Sequence, residues 1–133
     1  MAIRFYFDAD ILGVAKLLVQ VRSDVTYPGD PGDAVRPPCH IHPATKDDEW
    51  IPAVASNDWI TITRDKHIMS RPTELAAVTS NRAKIICLDA RHELTKWLEL
   101  EIIVSQWRRI EDLSSSAGPW IYRASRSRLT KEL

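Results

Sequence analysis

The chain has 133 residues and carries 18 Lys and Arg against 18 Asp and Glu, a formal net charge of zero. That length fits one domain with a real core and leaves no room for a second, and the neutral balance excludes bulk electrostatic attraction to nucleic acid or membrane, so a polyanion must be met by a local patch. No apolar run approaches the ~20 residues of a membrane span, and the first residues lack a basic-then-apolar leader pattern, so a cytoplasmic protein with no membrane contact is expected.

Residues 3–7 read as a short apolar strand that stops on Asp8. Ile11, Val14, Ala15, Leu17, Leu18 and Val21 then recur at helical spacing, with Asp10 where an N-cap belongs and an end near Ser23. Residues 25–27 form a brief second strand. Residues 28–46 are rich in Pro, Gly and Asp and show no periodicity; a loop of that length is functional or mobile, and this one is expected to be the least firmly held internal segment. Pro52 cannot lie deep inside a helix, so the second helix must start close to Asp48, with Asp47, Asp48 and Glu49 gathered at its N-terminus.

Residues 59–65, Trp-Ile-Thr-Ile-Thr-Arg-Asp, form a buried strand that ends on an acid flanked by Arg64 and Lys66. Pro72 is placed to open a third helix reaching Ser80. Residues 84–88 are another buried strand. Leu94, Trp97, Leu98, Ile103, Val104, Trp107 and Ile110 mark a long helical region, one bent helix or two, and residues 120–122 a last strand. Beyond it Arg123, Arg126, Arg128 and Lys131 face only Glu132, a basic tail over residues 123–133. Short strands alternating with helices predict a three-layer α/β/α sandwich around a mainly parallel sheet.

In such a sheet ligands bind at the carboxyl ends of the strands, which is where Asp8 and Asp65 fall. Carboxylates brought within a few ångströms repel unless protonated or neutralised, and hard oxygen donors suit Mg²⁺ or Mn²⁺. The chemistry that needs them is phosphoryl transfer or phosphodiester hydrolysis. Asp10 is accounted for as a helix cap, and the acids at 47–49 serve equally well as ligands or as complements to a helix dipole. Cys39, His40 and His42 lie close in sequence but lack the second ligand pair of a structural zinc site, and both Cys39 and Cys87 are expected reduced. His67 reads as a solvent-facing loop histidine.

Arg4-Phe5-Tyr6-Phe7-Asp8, Asp47-Asp48-Glu49-Trp50-Ile51-Pro52, Trp59-Ile60-Thr61-Ile62-Thr63-Arg64-Asp65-Lys66 and Gly118-Pro119-Trp120-Ile121-Tyr122 together resemble a PIN-like domain of the small divergent branch related to VapC-type toxin ribonucleases. The resemblance extends over essentially the whole chain. It implies an Mg²⁺- or Mn²⁺-dependent endoribonuclease with Asp8 as the first-strand acid, Thr63 and Asp65 as the Thr-x-Asp strand end, and Asp47 or Asp48 as the helix-start acid. Asp8, Asp48 and Asp65 are then the expected catalytic acids, with Asp47 beside them as a metal ligand and Thr63 and Asp89 in support. Arg64, Lys66, Arg123, Arg126 and Arg128 are the expected RNA-binding cations. The PIN-like domain would occupy residues 1–122, with RNA, a cognate antitoxin protein and a second copy of the chain as partners.

Two other functions compete. Asp8-Ala9-Asp10 after an apolar strand resembles the nucleophile motif of haloacid dehalogenase phosphatases, but that family needs a lysine and then paired acids downstream, whereas here Asp47-Asp48 precedes the Thr63 strand and Lys84 begins a strand instead of ending one. The other is a non-catalytic module that keeps the fold and binds RNA or protein.

Overall fold

Period-two alternation of large apolar side chains decides how this chain layers. The computed structural model describes residues 2–90 and 93–133. Its strands are β1 (Phe5–Phe7), β2 (Val25–Thr26), β3 (Ile60–Thr63), β4 (Lys84–Leu88), β5 (Trp120–Ala124) and β6 (Leu129–Lys131). Its helices are α1 (Leu12–Leu18), α2 (Asp47–Ser56), α3 (Pro72–Asn81) and α4 (Lys96–Leu113). The strands form one sheet in the order β2-β1-β3-β4-β5-β6, with β1 to β5 parallel and β6 antiparallel.

One face of the sheet presents Phe5, Phe7, Ile60, Ile62, Ile86, Leu88, Trp120 and Ala124 to Val14, Ala15 and Leu18 of α1 and Ile102, Ile103 and Ile110 of α4. The other face presents Tyr6, Ile85, Cys87 and Ile121 to Trp50, Ile51 and Val54 of α2 and Ala77 and Val78 of α3. Two cores back to back on a mainly parallel sheet are the three-layer sandwich expected from the alternation of elements. No described helix is long and apolar enough to cross a membrane.

The elements depart from expectation where a tertiary partner outweighs local pattern. α1 stops at Leu18, and Val21 is left exposed. Of the two alternatives for the long helical region, one helix or two, Lys96–Leu113 is a single helix, capped by Thr95, whose hydroxyl accepts from Leu98 N at 3.1 Å. The segment 123–133, expected as a basic tail, is folded onto the sheet. β5 continues to Ala124, a turn closes through Ser125 N to Arg128 O at 2.9 Å, and β6 returns antiparallel with Leu129 against the core. Leu-Thr-Lys is too short and polar to announce a strand; pairing with β5 makes it one.

The loop over residues 28–46 lacks helix and strand, as its composition dictates, yet it is pinned from within. Arg36, 5 % exposed, pairs with the buried carboxylate of Asp30 and also donates to Val25 O at 3.0 Å and to Asp33 Oδ2 at 3.0 Å. Thr26 Oγ1 donates to Asp30 Oδ2 at 3.0 Å, and Cys39 N donates to Asp30 O at 2.8 Å. The polar residues that mark the segment as a loop are the ones that fasten it. Arg36→Ala leaves Asp30 as an unpaired buried charge, and it should lower unfolding free energy by about 3–5 kcal/mol, read by urea denaturation.

Parallel pairing has a further effect. In register, Phe7 meets Ile62, Thr63 meets Cys87 and Leu88 meets Ala124, so Asp8, Thr63, Asp89 and Ser125 emerge on one edge of the sheet. At the opposite edge buried charges are paired. Asp24 holds Arg4 and Arg22 at 3.0 and 2.8 Å, and Lys84 reaches Asp58 at 3.0 Å and Ser114 O at 3.2 Å.

Candidate active site at the carboxyl edge of the sheet

Thr63 is fully buried at the tip of β3, and its hydroxyl organises this edge. Its Oγ1 lies 2.9 Å from Asp10 Oδ2 and 3.2 Å from Asp8 Oδ2, and it accepts from Asp65 N at 3.1 Å. A hydroxyl has one proton to give, so it serves one of the two carboxylates at a time, and a hydrogen bond with the other requires a proton on that carboxyl.

Asp8 caps the 3-10 turn Ala9–Ile11, accepting from Ala9 N at 2.7 Å. Asp10, read from sequence as the cap, instead accepts from Arg64 N at 3.1 Å and from Thr63. Its place two residues after a strand-end acid, on a turn that precedes the helix proper, is what brings it to Thr63.

Burial, followed by the neighbouring charge of Asp10, pushes the Asp8 carboxyl up to about 7. Burial also raises Asp10, opposed by its hydrogen bonds to Arg64 N and Thr63.

The other acids approach from α2, α4 and the segment after β3. Asp65 accepts from His67 N at 2.9 Å and from Arg71 Nη1 at 2.6 Å. The same Arg71 nitrogen is 3.8 Å from Asp47 Oδ2. Asp47 is fixed by the indole of Trp50, which donates to its Oδ1 at 2.7 Å, while the neighbouring Asp48 is exposed and stays outside the constellation. Of the two alternatives at the start of α2, Asp47 is the one turned inward. Its charge contributes to the rise at Asp8.

Glu99 was not anticipated. It is 5 % exposed on α4, and Arg64 Nε lies 3.1 Å from its Oε2 without hydrogen-bond alignment, so that buried oxygen has an ionic neighbour but no hydrogen bond. Burial raises its pKa, Arg64 opposes the rise, and the charge of Asp10 adds to it. The signal for it was in the sequence: Glu99 stands three and four residues before Ile102 and Ile103, on the apolar stripe of the helix.

Asp89, just past β4, lies 3.7 Å from Arg123, and Arg123 also pairs with Glu132 at 3.3 Å. Arg126 is 3.6 Å from Glu101, Arg128 projects from the β5–β6 turn, and Lys66 is exposed beside Asp65. Cys39 and Cys87 are free and buried, and burial pushes the Cys87 thiol up to about 12. Lys84, bound at the far edge, is not available to Asp8 as a phosphatase would require.

In donor type this edge suits a hard divalent cation, with carboxylates outnumbering nearby cations and a buried Glu99 oxygen lacking a hydrogen bond. In spacing, no three His, Cys, Asp or Glu side chains among the described residues form a group that could hold an ion; Asp47 and Asp65 are turned onto Arg71.

A mainly parallel three-layer sandwich with acids crowded at the carboxyl edge of its sheet defines a doubly wound type of α/β domain. The family model described as PIN like domain matches residues 3–90, and the chain belongs to the PIN-like domain family. No curated protein and no solved structure matches it.

The crowding has a measurable sign. The folded-state pKa of Asp8 lies above its unfolded value near 3.9, so the folded protein takes up a proton as pH falls through about 7 and gains stability from there toward pH 4. With EDTA present, the urea midpoint should rise between pH 8 and pH 5. Asp8→Asn should raise the midpoint at pH 8 and flatten that slope; a wild-type midpoint that falls over this interval would contradict the repulsion.

Proposed function

We propose that the protein is a divalent-metal-dependent endoribonuclease, with Asp8, Asp10, Asp47, Asp65 and Glu99 around Thr63 as its acidic site and Mg²⁺ or Mn²⁺ as cofactor. The observation that carries this reading is the contrast between the two edges of the sheet. Buried charge at the amino edge is matched residue by residue, whereas Asp8 and Asp10 share one hydroxyl and a buried oxygen of Glu99 has an ionic neighbour but no hydrogen bond. Five acids against Arg64 and Arg71 leave negative charge in excess, which is costly in a partly desolvated site, and family membership in a nuclease-type fold gives it a use.

A divalent cation bound there would supply an activated water and charge stabilisation at the scissile phosphate. The chain's own residues do the rest. Thr63 sets the orientation of Asp8 and Asp10 and, through Asp65 N, of the following turn. Arg71 is the resident counter-charge of Asp65 and Asp47, and on release it is placed to meet a phosphate. Arg64 and Lys66 stand at the same strand end as further phosphate contacts. A toxin role, with an antitoxin that covers this edge, fits the same reading, as does cytoplasmic action.

A second reading rests on one observation, the absence among the described residues of a group arranged to hold a metal. On it the domain is a non-catalytic module in which Arg71 takes the place of the cation.

The two readings part on metal binding. Under the nuclease reading, Mn²⁺ at a hundredfold excess over Kd should raise the thermal midpoint by on the order of 10 °C. Asp65→Asn should remove that shift together with cleavage of a mixed RNA pool, and Arg71→Gln should lower the metal-free midpoint while lowering the Mn²⁺ concentration needed for half the shift. No Mn²⁺ shift and no Mn²⁺-dependent cleavage in wild type would leave the binding module.

A further inference from the structure

Beside the acidic edge lies a cleft of about 630 Å³, within the range that takes a small ligand or one nucleotide. Leu98 and Ile102 of α4 form its apolar wall, and Asp89 and Ala90 after β4 its rim. Ser125, Arg126, Ser127 and Arg128, the β5–β6 turn, close the far side.

The turn that closes the cleft is fixed by hydrogen bonds to Ser125. Gln106, 1 % exposed, donates from Nε2 to Ser125 O at 2.9 Å and so joins α4 to the turn. Within the turn Arg128 N donates to Ser125 Oγ at 3.1 Å. The guanidinium groups remain available: Arg128 is exposed, and the Arg126 side chain is 62 % exposed with its acid partner 3.6 Å away, a contact weak enough to exchange for a phosphate.

Its place in the sheet ties it to the acids. β5 is two strands from β3, about 10 Å, and Glu99 follows Leu98 directly on α4. A strand of nucleic acid with one phosphodiester at Thr63 therefore brings a neighbouring nucleotide over the cleft.

Resting on the nuclease reading, we propose that this cleft seats an unpaired nucleotide of a single-stranded RNA, flanking the phosphodiester at the acidic edge. Leu98, partly exposed above the buried Ile102, packs against the base, which a duplex would keep stacked and out of reach. Arg126 and Arg128 hold the backbone phosphates, and Asp89 accepts from the ribose 2′-hydroxyl, a group that DNA lacks.

Fluorescence anisotropy of the full chain with a labelled ten-nucleotide RNA of mixed sequence, in EDTA so that nothing is cut, tests this. Wild type should bind the single strand at least tenfold more tightly than the same sequence as a duplex or as DNA. The double variant Arg126→Ala, Arg128→Ala alters exposed side chains and should keep the wild-type thermal midpoint. It should lose at least tenfold in affinity and about 1.4 from the slope of log K against log salt, two contacts at about 0.7 each. Unchanged affinity in the double variant, or no RNA binding by wild type, would overturn the cleft assignment. Equal affinity for duplex would overturn the single-strand requirement, and equal affinity for DNA would overturn the assignment to RNA. Cleavage with Mn²⁺ is scored separately: a wild type that cuts while the variant binds as well as it does refutes the cleft alone. A wild type that never cuts, but whose RNA affinity depends on Arg126 and Arg128, refutes the nuclease reading alone.

Discussion

The hydroxyl of Thr63 ties together two stretches of chain, the ends of β1 and β3, that lie more than 50 residues apart in sequence. It meets Asp8 after β1, Asp10 on the following turn, and the backbone of Asp65 beyond β3. That meeting depends on the parallel register of β1 and β3, in which Phe7 stands beside Ile62 and Asp8 N donates to Ile62 O at 2.9 Å. A slip of one residue would turn Thr63 to the other face of the sheet and disperse the acids. The register is fixed in turn by Phe5, Phe7, Ile60 and Ile62, all packed into the core under α1 and α4. Hydrophobic burial thus fixes where charge is allowed to crowd.

Charge placement follows the same logic across the molecule. Asp24 is buried, which alone would raise its pKa, yet hydrogen bonds from Arg22 and Arg4 hold it below the usual carboxylate range. Asp8 is also desolvated, but no guanidinium bonds to it, and it moves the other way. Two aspartates at opposite ends of one small sheet, with opposite shifts, separate an acid that supports folding from one that opposes it until a counter-charge arrives.

Much of the architecture could be read from periodicity, because β3, β4, α3 and α4 are long enough and apolar enough to declare themselves. The strand over Lys84–Leu88 matches its expected bounds. What was not legible depends on partners distant in sequence. Asp10 looks like a cap until the chain is seen to enter a 3-10 turn capped by Asp8. Asp47 and Asp48 are indistinguishable until the Trp50 indole selects one. β6 has no pattern of its own, and the basic residues around it are spread over a hairpin where some find acids. Glu99 is the exception, a charge on an apolar stripe that periodicity alone should have flagged.

The fastening of the loop over residues 28–46 also affects the sheet's margin. β2, at one end, has only two residues, and the carbonyl of Val25 is taken by Arg36. β6, at the other end, has three, with Thr130 and Lys131 exposed. Short, covered or charged margins give an incoming strand little unsatisfied backbone to pair with. The folded molecule is therefore a poor template for cross-β growth, and the hazard of fibrillar aggregation lies with β3 and β4, whose apolar runs are sequestered at the centre of the sheet for as long as the native state persists.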